Sequence, residues 1–394
     1  MLWAAPALLA AAVLGRVLLG ILLPTGLNVV DLHVYVDGSA ALLHNRLYDY
    51  TYSEQTPDFP LPFTYPPFAA LVFFPLHYLV NFVPFKVLAL LWQLAVIGGL
   101  YALLRLAQRL LGTHRQPRSA RIAMLGTAVG MWAEPVRSTL DYGQVNVFLA
   151  LAGMAAAVAA RWWLSGLLVG VVAGIKLTPA VTGFYFLARR NWATVAWSAA
   201  VFAGTVGLSY LVVGPEAKTY FGTLLGDASR IGPVGSVQNQ SLRGALSRIL
   251  GHDVQSGPWW IAAVTVTAVL AIFAWRALDS EDRLGQLLIV QLFGLMASPI
   301  SWTHHWVWLV PLLLWVACSG AWQRRGAAVV AAYWFLDVMI GIPGQLSYFQ
   351  DSIWPISRPG PLAWAGAVDA VGVLLTYGWL IRTGRRDRAA PAAA

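Results

Sequence analysis

The chain alternates long apolar stretches with short basic segments and a few longer polar ones. Apolar runs such as Met1–Leu23, Trp259–Trp275 and Pro361–Ile381 are long enough to cross a hydrocarbon core of roughly 30 Å. In lipid, the backbone N–H and C=O groups of a segment must be paired within that segment, so each run is predicted to be a helix. The pattern predicts an all-α, polytopic membrane protein with about 12 transmembrane helices.

The first run has a second interpretation as a cleaved signal peptide. It lacks a basic n-region, and its apolar pattern continues through the small residues Ala10–Ala12. We therefore expect a membrane helix here, with Arg16 as its one charged residue.

The loops carry the signal for orientation. The long loop Pro24–Pro66 is acidic and holds a single arginine, whereas the short connections are rich in arginine. Short loops with excess Lys or Arg stay in the cytoplasm. We therefore expect Pro24–Pro66, Gly214–Gly257 and Pro343–Pro359 on the outer face, with both termini inside.

Two regions leave the assignment of crossings open. Residues 66–105 hold two apolar stretches separated at Asn81–Pro84, and residues 162–188 are broken at Lys176–Pro179. If the first region crosses once and the second twice, every basic cluster faces the cytoplasm. The reverse assignment keeps the same total but moves Asp141–Asn146 inside. The charge rule favours the first assignment.

Composition supports a membrane location. The 394 residues are 58% hydrophobic and 11% charged, against about 25% charged in soluble domains. The net charge of +9 comes from the arginines of the short loops and does not indicate nucleic-acid binding. Cys318 is the only cysteine, so a disulfide framework and a thiolate metal site are excluded. We predict one membrane domain over residues 1–388 and a disordered tail over 389–394.

Polar motifs converge on the expected outer face in addition to the first loop. A single interfacial site would require such convergence. The motifs are Asp141-Tyr-Gly-Gln-Val-Asn146, Lys176-Leu-Thr-Pro179, Asn239-Gln-Ser-Leu-Arg243 and Ser298-Pro-Ile-Ser-Trp-Thr-His-His305.

Asp31 is the candidate general base. It follows the first membrane helix directly, where partial desolvation raises the pKa of a carboxyl group. On a helix, Asp31, Tyr35 and Gly38 would share one face, with Asp37 pointing elsewhere. The alternative is that Asp31 merely caps a surface helix. Tyr35 and Tyr65 are possible sugar-pocket residues. Tyr65 lies in a proline-rich segment that re-enters the membrane and has a structural role as its alternative.

Cations and amides supply the remaining candidates. Lys176 lies in an apolar stretch, where lysine is costly, and either contacts a lipid phosphate or extends to the interface. Asn239 and Gln240 suit sugar hydroxyls and Arg243 suits phosphate oxygens, although a solvated loop with a helix cap has the same composition. The pair His304–His305 suits contact with phosphate or sugar. Neighbouring histidines diverge by about 100° on a helix, so a shared metal is the lesser alternative.

Several kinds of site are missing from the sequence. It has no phosphate-binding P-loop, nucleotide-binding glycine motif, HExxH motif or nucleophile elbow. A soluble nucleotide-sugar donor is therefore unsupported, and we predict neither a cofactor nor a metal.

The motifs, in this order, resemble the polyprenyl-phosphomannose-dependent α-1,2-mannosyltransferases of the multi-spanning GT-C superfamily. Within them, the first-loop segment looks most like the enzymes of phosphatidylinositol mannoside synthesis. The resemblance covers almost the whole chain. The segments that carry it are DLHVYVDG (31–38), LYDY (47–50), FTYPPFAAL (63–71), DYGQVN (141–146), GIKLTP (174–179), NQSLRG (239–244) and SPISWTHHW (298–306).

The resemblance implies an inverting transfer of mannose from a polyprenyl phosphate to a mannosylated lipid at the outer face of the plasma membrane. It implies Asp31 as base, with a cationic cradle from Lys176, Arg243 and one of the two histidines. Gln144, Asn146, Asn239 and Gln240 would orient sugar hydroxyls. The family also includes enzymes that use a divalent metal with a second carboxylate, for which Asp37 or Asp58 would be available.

Two alternatives remain at this stage. The same fold could transfer arabinose or another sugar from a polyprenyl phosphate, because the stereochemistry of the sugar does not follow from the sequence. A lipid-sugar flippase is the alternative from another class. A transporter would be expected to show inverted repeats and broken helices at the bilayer midplane, and no such repeat is found.

Overall fold

The computed structural model describes residues 2–23, 27–356 and 360–389, and side chains up to 384. It divides into two compact units. The first unit comprises Met1–Leu106, Pro117–Met131 and Val136–Gly232, and the second comprises Ala107–Gln116, Trp132–Pro135 and Pro233–Ala394. The prediction of a single domain over 1–388 stays a prediction, and the predicted tail lies outside the described residues from 390 onward.

Helices make up most of the described chain. Up to residue 219 they are α1 (Ala5–Leu22), α2 (Val30–Ala40), α3 (Pro67–Leu79), α4 (Phe85–Leu110), α5 (Ser119–Gly130), α6 (Glu134–Tyr142), α7 (Asn146–Val158), α8 (Trp162–Ile175), α9 (Thr182–Ala188), α10 (Trp192–Val213) and α11 (Pro215–Thr219). The later helices are α12 (Leu242–Leu250), α13 (Pro258–Ala277), α14 (Arg283–Ala297), α15 (Leu309–Cys318), α16 (Ala327–Ile340), α17 (Ile342–Ser347), α18 (Pro361–Ala365) and α19 (Val368–Ala389).

Short elements complete the fold. Two-residue strands β1 (Thr51–Tyr52) and β2 (Leu61–Pro62) pair antiparallel within the first loop. Short 3-10 helices occur at Leu2–Ala4, Ala41–His44, Thr178–Val181, Ala228–Arg230, Thr303–Trp308 and Gly320–Gln323, and a π-helical turn occurs at Tyr220–Leu224. The prediction of an all-α fold is confirmed.

Among the described residues, four helices are long and apolar enough to cross a membrane: Leu2–Leu22, Phe85–Leu110, Trp192–Val213 and Pro258–Ala277. Six shorter apolar helices accompany them. The breaks expected at Asn81–Pro84 and Lys176–Pro179 are present, between α3 and α4 and after α8. The number of crossings and their orientation stay predictions.

A stripe of glycines brings α8 and α10 close together. Gly166, Gly170 and Gly174 recur every four residues and face α10. A Cβ atom on Gly170 would lie 2.6 Å from the Cβ of Val201 and 2.7 Å from the carbonyl oxygen of Ser198. Because small residues at this spacing let helix backbones approach, α8 is held against α10 along its whole length, up to the turn that ends before Lys176.

The core of the first unit surrounds α2. Leu32 and Val36 on this helix are fully buried with Phe63 and Ala69 of the following segment and helix. Aromatic rings dominate the contact, with Tyr35 stacked on Phe73 at 4.4 Å between ring centroids. α2 is therefore fixed by apolar packing, although it lies outside the candidate membrane spans.

Candidate active site

Asp31 lies in the first turn of α2. The residue before the helix, Val29, adopts a left-handed conformation with φ 35°, which is unfavourable for a β-branched side chain. The expected helical face is present, since Tyr35 is fully buried on the same side as Asp31. Asp37 instead pairs with His33 at 3.2 Å and is the more exposed carboxylate.

Gln144 organises the polar groups near Asp31. Its Oε1 accepts hydrogen bonds from the hydroxyls of Tyr35 at 2.8 Å and Tyr65 at 3.2 Å. The two hydroxyls are themselves 2.8 Å apart. Its side chain also acts on the carboxyl group of Asp31, whose pKa it lowers. Four of the residues predicted from the sequence thus form one cluster in the first unit.

Lys176 and Asn146 join this cluster from two other helices. Lys176 lies just past the last turn of α8, where the backbone becomes extended. Its Nζ donates to Oδ1 of Asn146 at 3.0 Å and lies 5.3 Å from the centroid of the Tyr65 ring. The ammonium is also close enough to act electrostatically on Asp31. The structure therefore brings the predicted base and the predicted cation together.

The environment of Asp31 suits proton transfer. Desolvation raises the pKa of its carboxyl group to about 6, and this effect outweighs those of the Gln144 side chain and the charge of Lys176, which lower the pKa. A base whose pKa lies near the working pH is ionised and still able to hold a proton.

The first loop is held by contacts that the sequence did not predict. The N–H of Leu47 donates to the buried carboxylate of Glu216 at 2.9 Å. The next residue, Tyr48, stacks on Tyr220, and the guanidinium of Arg230 lies 5.6 Å from its ring centroid. These contacts tie the loop that follows α2 to the chain after α10.

Asn239 and Gln240 belong to the second unit, where they bind backbone groups. Both are fully buried. The amide of Asn239 donates to two carbonyl groups and accepts from the N–H groups of Ser241 and Ser301. Gln240 donates to the carbonyls of Val237 and Gly366 and accepts from the N–H of Asp369. These bonds argue against direct sugar contact, which stays a prediction.

Arg243 is engaged by a carboxylate. Its Nε and Nη2 donate to Asp253 at 2.9 and 2.7 Å, in the bidentate geometry that guanidinium groups also use for phosphate. The hydrogen bond from Arg243 is the main reason that the pKa of Asp253 is lowered. A phosphate would have to compete with this pair, so a phosphate-binding role stays a prediction.

His304 and His305 lie on the 3-10 turn Thr303–Trp308 of the second unit. His304 is buried, and the two rings meet edge to face with centroids 4.8 Å apart. Within the described parts of the chain, no three His, Cys, Asp or Glu residues are arranged to hold a metal ion. Contact of these histidines with a donor phosphate stays a prediction, as does their position relative to Asp31.

Two buried arginines were missed as organising residues. Arg248 donates to the carbonyls of Ser236, Asn239 and Gly366 and so holds the backbone at the start of the Asn239–Arg243 motif. Arg16, on α1, pairs with Asp141. An isolated charge in an apolar run signals that a partner exists, but that signal does not identify the partner.

Known proteins resemble the chain over most of its length. The model of glycosyltransferase family 87 matches residues 63–299, more than half of the chain. A polyprenol-phosphate-mannose-dependent α-(1-2)-phosphatidylinositol pentamannoside mannosyltransferase of Mycolicibacterium smegmatis is 56% identical over 95% of this chain and 90% of its own. The enzyme of the same name from Mycobacterium tuberculosis is 54% identical over 98% and 89%.

A more distant relative carries a broader name. A polyprenol-phosphate-mannose-dependent α-(1-2)-phosphatidylinositol mannoside mannosyltransferase of Mycobacterium tuberculosis is 32% identical over 76% of this chain and 72% of its own. No solved structure matches the chain. The resemblance inferred from the seven motifs is confirmed, and the chain belongs to glycosyltransferase family 87.

Proposed function

We propose that this chain is an inverting α-1,2-mannosyltransferase that moves mannose from a polyprenyl-phosphate donor to a phosphatidylinositol mannoside. The chain is more than 50% identical in sequence to two relatives named for that activity, which supports both the donor and the acceptor class. The pentamannoside is the acceptor we favour. The reaction takes place at the outer face of the plasma membrane.

Asp31 acts as general base. It takes the proton from the 2-hydroxyl of the acceptor mannose as that oxygen attacks the anomeric carbon of the donor. The new C–O bond forms on the face opposite the phosphate, so a β-linked donor gives an α-linked product. The observation that carries this assignment is the Asp31–Gln144–Lys176 cluster, with a carboxyl group whose pKa is about 6.

Lys176 stabilises the leaving group. As the bond between the anomeric carbon and the phosphate oxygen breaks, the polyprenyl phosphate gains negative charge, and a fixed ammonium at that position lowers the barrier. The phosphate departs without a protonating acid. Gln144, Tyr35 and Tyr65 form a hydrogen-bonded network beside the carboxylate of Asp31.

The test compares two carboxylates of the same helix. Asp31→Asn removes the base and is expected to lower the rate by about 10²–10⁴-fold. Asp37→Asn changes the exposed carboxylate paired with His33 and is expected to keep near-normal activity. Transfer of labelled mannose to extracted phosphatidylinositol pentamannoside is measured in membranes that contain equal amounts of each protein. Full activity of Asp31→Asn would remove the base from this scheme.

The donor is tested separately. Purified protein is supplied in parallel with labelled polyprenyl-phosphomannose and labelled polyprenyl-phosphoarabinose. We expect a longer lipid-linked mannoside only with the first donor. Incorporation of arabinose would assign another sugar to the same site, and movement of intact donor across vesicles without a new glycosidic bond would indicate a flippase.

A further inference from the structure

The ion pair between Arg16 and Asp141 connects the first apolar helix to the end of α6. Nη2 of Arg16 lies 2.5 Å from Oδ1 of Asp141. The arginine side chain is 7% exposed although it lies on a candidate membrane span. Removing an arginine from water inside such a span is costly unless a partner compensates, so this pair is expected to be strong and specific.

Asp141 bonds in turn to the residue before α2, the helix that carries Asp31. Its carbonyl oxygen accepts the N–H of Val29 at 2.8 Å. Val29 is the left-handed residue before α2, and a valine stays in such a conformation only when its surroundings impose it. The bond from Asp141 is one of those constraints, two residues before Asp31.

The same segment also fixes Gln144. Gly143 has φ 73°, and a Cβ atom there would lie 2.7 Å from the Cβ of Leu32, so this turn packs directly on the first turn of α2. The next residue, Gln144, has its N–H bonded to the carbonyl of Thr139 at 2.8 Å. The segment from Asp141 to Gln144 therefore contacts the start of α2 on both sides of Asp31, at Val29 and at Leu32.

We propose that Arg16 is a positioning residue for this reaction, which acts through Asp141 to hold the first turn of α2 and Gln144 in register. The inference rests on the proposed function. Arg16 touches no reacting atom in this scheme. Its loss would let α2 begin differently, so that the carboxylate of Asp31 moves relative to Gln144 and Lys176.

The test uses the variants Arg16→Met and Asp141→Asn, with Arg16→Lys as the conservative change. Misplacement by about 1 Å is enough to lower the rate roughly 10²-fold. We expect a loss of 10- to 100-fold in kcat, little change in KM for polyprenyl-phosphomannose, and partial recovery in Arg16→Lys. The double variant Arg16→Met with Asp141→Asn should be no slower than either single variant, because the two residues act as one unit.

The position of the acid limb of kcat/KM distinguishes positioning from general stability. This limb reports the charge state of Asp31, which faces Lys176 together with the hydroxyls of Tyr35 and Tyr65, and it does not depend on how much enzyme survives purification. We expect the limb to move to higher pH in Arg16→Met and Asp141→Asn, because Gln144 and Lys176, which lower the pKa of Asp31, are then held less closely to it. Asp141→Asn serves alone if Arg16→Met does not fold, since asparagine keeps the backbone bond to Val29.

Arg46→Met is the matched control. This arginine pairs with Asp49 on the surface, where its side chain is 72% exposed, and its change should leave rate and limb as in the wild type. If the wild type transfers mannose and Asp141→Asn has the same rate and the same acid limb, the positioning role is overturned. The proposed function then stays intact. A wild-type protein that transfers no mannose would instead overturn the proposed function.

Discussion

At the scale of single residues, the neighbours of Asp31 decide the pH at which it can accept a proton. Burial raises the pKa of its carboxyl group from 3.8 to about 6, while Gln144 and Lys176 restrain the increase. Because the carboxyl must be ionised to act as base, activity should be lost as the pH falls through this value.

The pH dependence gives a first prediction. In the wild type, kcat/KM should fall about tenfold for each pH unit below about 6. Lys176→Met removes a positive charge that lowers the pKa of Asp31, so the acid limb should move to higher pH in addition to any loss of rate. Rates of mannose transfer between pH 4.5 and 8.5 check this. An acid limb at the same pH in both proteins would show that Lys176 does not act on the base.

The residues that sequence reasoning found and missed differ in a physical way. Asp31 and Lys176 were recognisable because a charged group beside apolar residues is costly and therefore conspicuous. The partner of Arg16 was not, since Asp141 lies 125 positions away and only the fold brings them together. Composition also cannot tell whether the amide of Gln240 bonds to a sugar or, as here, to backbone carbonyls.

At the scale of elements, close packing along α8 positions a charged group. The glycine stripe of α8 leaves no room for a side chain against α10. The spacing of the glycines is visible in the sequence, but which helix faces them is not. The breaks beside Asn81 and Lys176 were predictable because proline and the flanking polar residues interrupt an apolar pattern.

A pair of glycines tests this packing. Gly170→Ala would place a methyl group against Val201 and the carbonyl of Ser198, and should lower the free energy of unfolding by about 1–3 kcal/mol. Gly204→Ala on α10 is the control, since nothing lies within 4 Å of its added methyl group. That change should be neutral or stabilise by up to about 1 kcal/mol. Thermal unfolding in detergent compares the two, and equal midpoints would contradict the role of the stripe.

Arg248 gives a prediction for the second unit. It is 3% exposed and donates to three carbonyl groups. Arg248→Met would remove one hydrogen bond from each carbonyl, although that of Gly366 still accepts from Gln240 and that of Ser236 from the N–H of Asn239. The variant should therefore unfold below the wild type, at a cost of about 1–3 kcal/mol. Arg248→Lys, with a single nitrogen, should lie between them. Wild-type stability of Arg248→Met would show that water replaces the guanidinium.

At the scale of the whole molecule, the sequence predicted the helical membrane architecture and the family, because both depend on patterns that extend over the entire chain. The division into two compact units was not predicted, since no linker or change in composition marks it. Six of the predicted site residues fall in one cluster of the first unit, namely Asp31, Tyr35, Tyr65, Gln144, Asn146 and Lys176. Asn239, Gln240, Arg243 and the histidine pair lie in the second unit.

Orientation can be tested with the single native cysteine removed. In a Cys318→Ser background, Ser53→Cys introduces an exposed thiol in the acidic first loop, and Arg115→Cys introduces one in the basic connection between α4 and α5. A maleimide that does not cross membranes should label Ser53→Cys in intact cells and Arg115→Cys only after lysis. The opposite pattern would place the first loop in the cytoplasm.

The glycine stripe has a consequence for how loss-of-function mutants should be interpreted. Since the last turn of α8 leads directly to Lys176, a bulky substitution at an uncharged position one or more turns away would shift the ammonium and reproduce the phenotype of a lysine mutant. A genetic screen scored only on glycolipid output would therefore group steric lesions with chemical ones, and only a structural measurement on each mutant would separate the two classes.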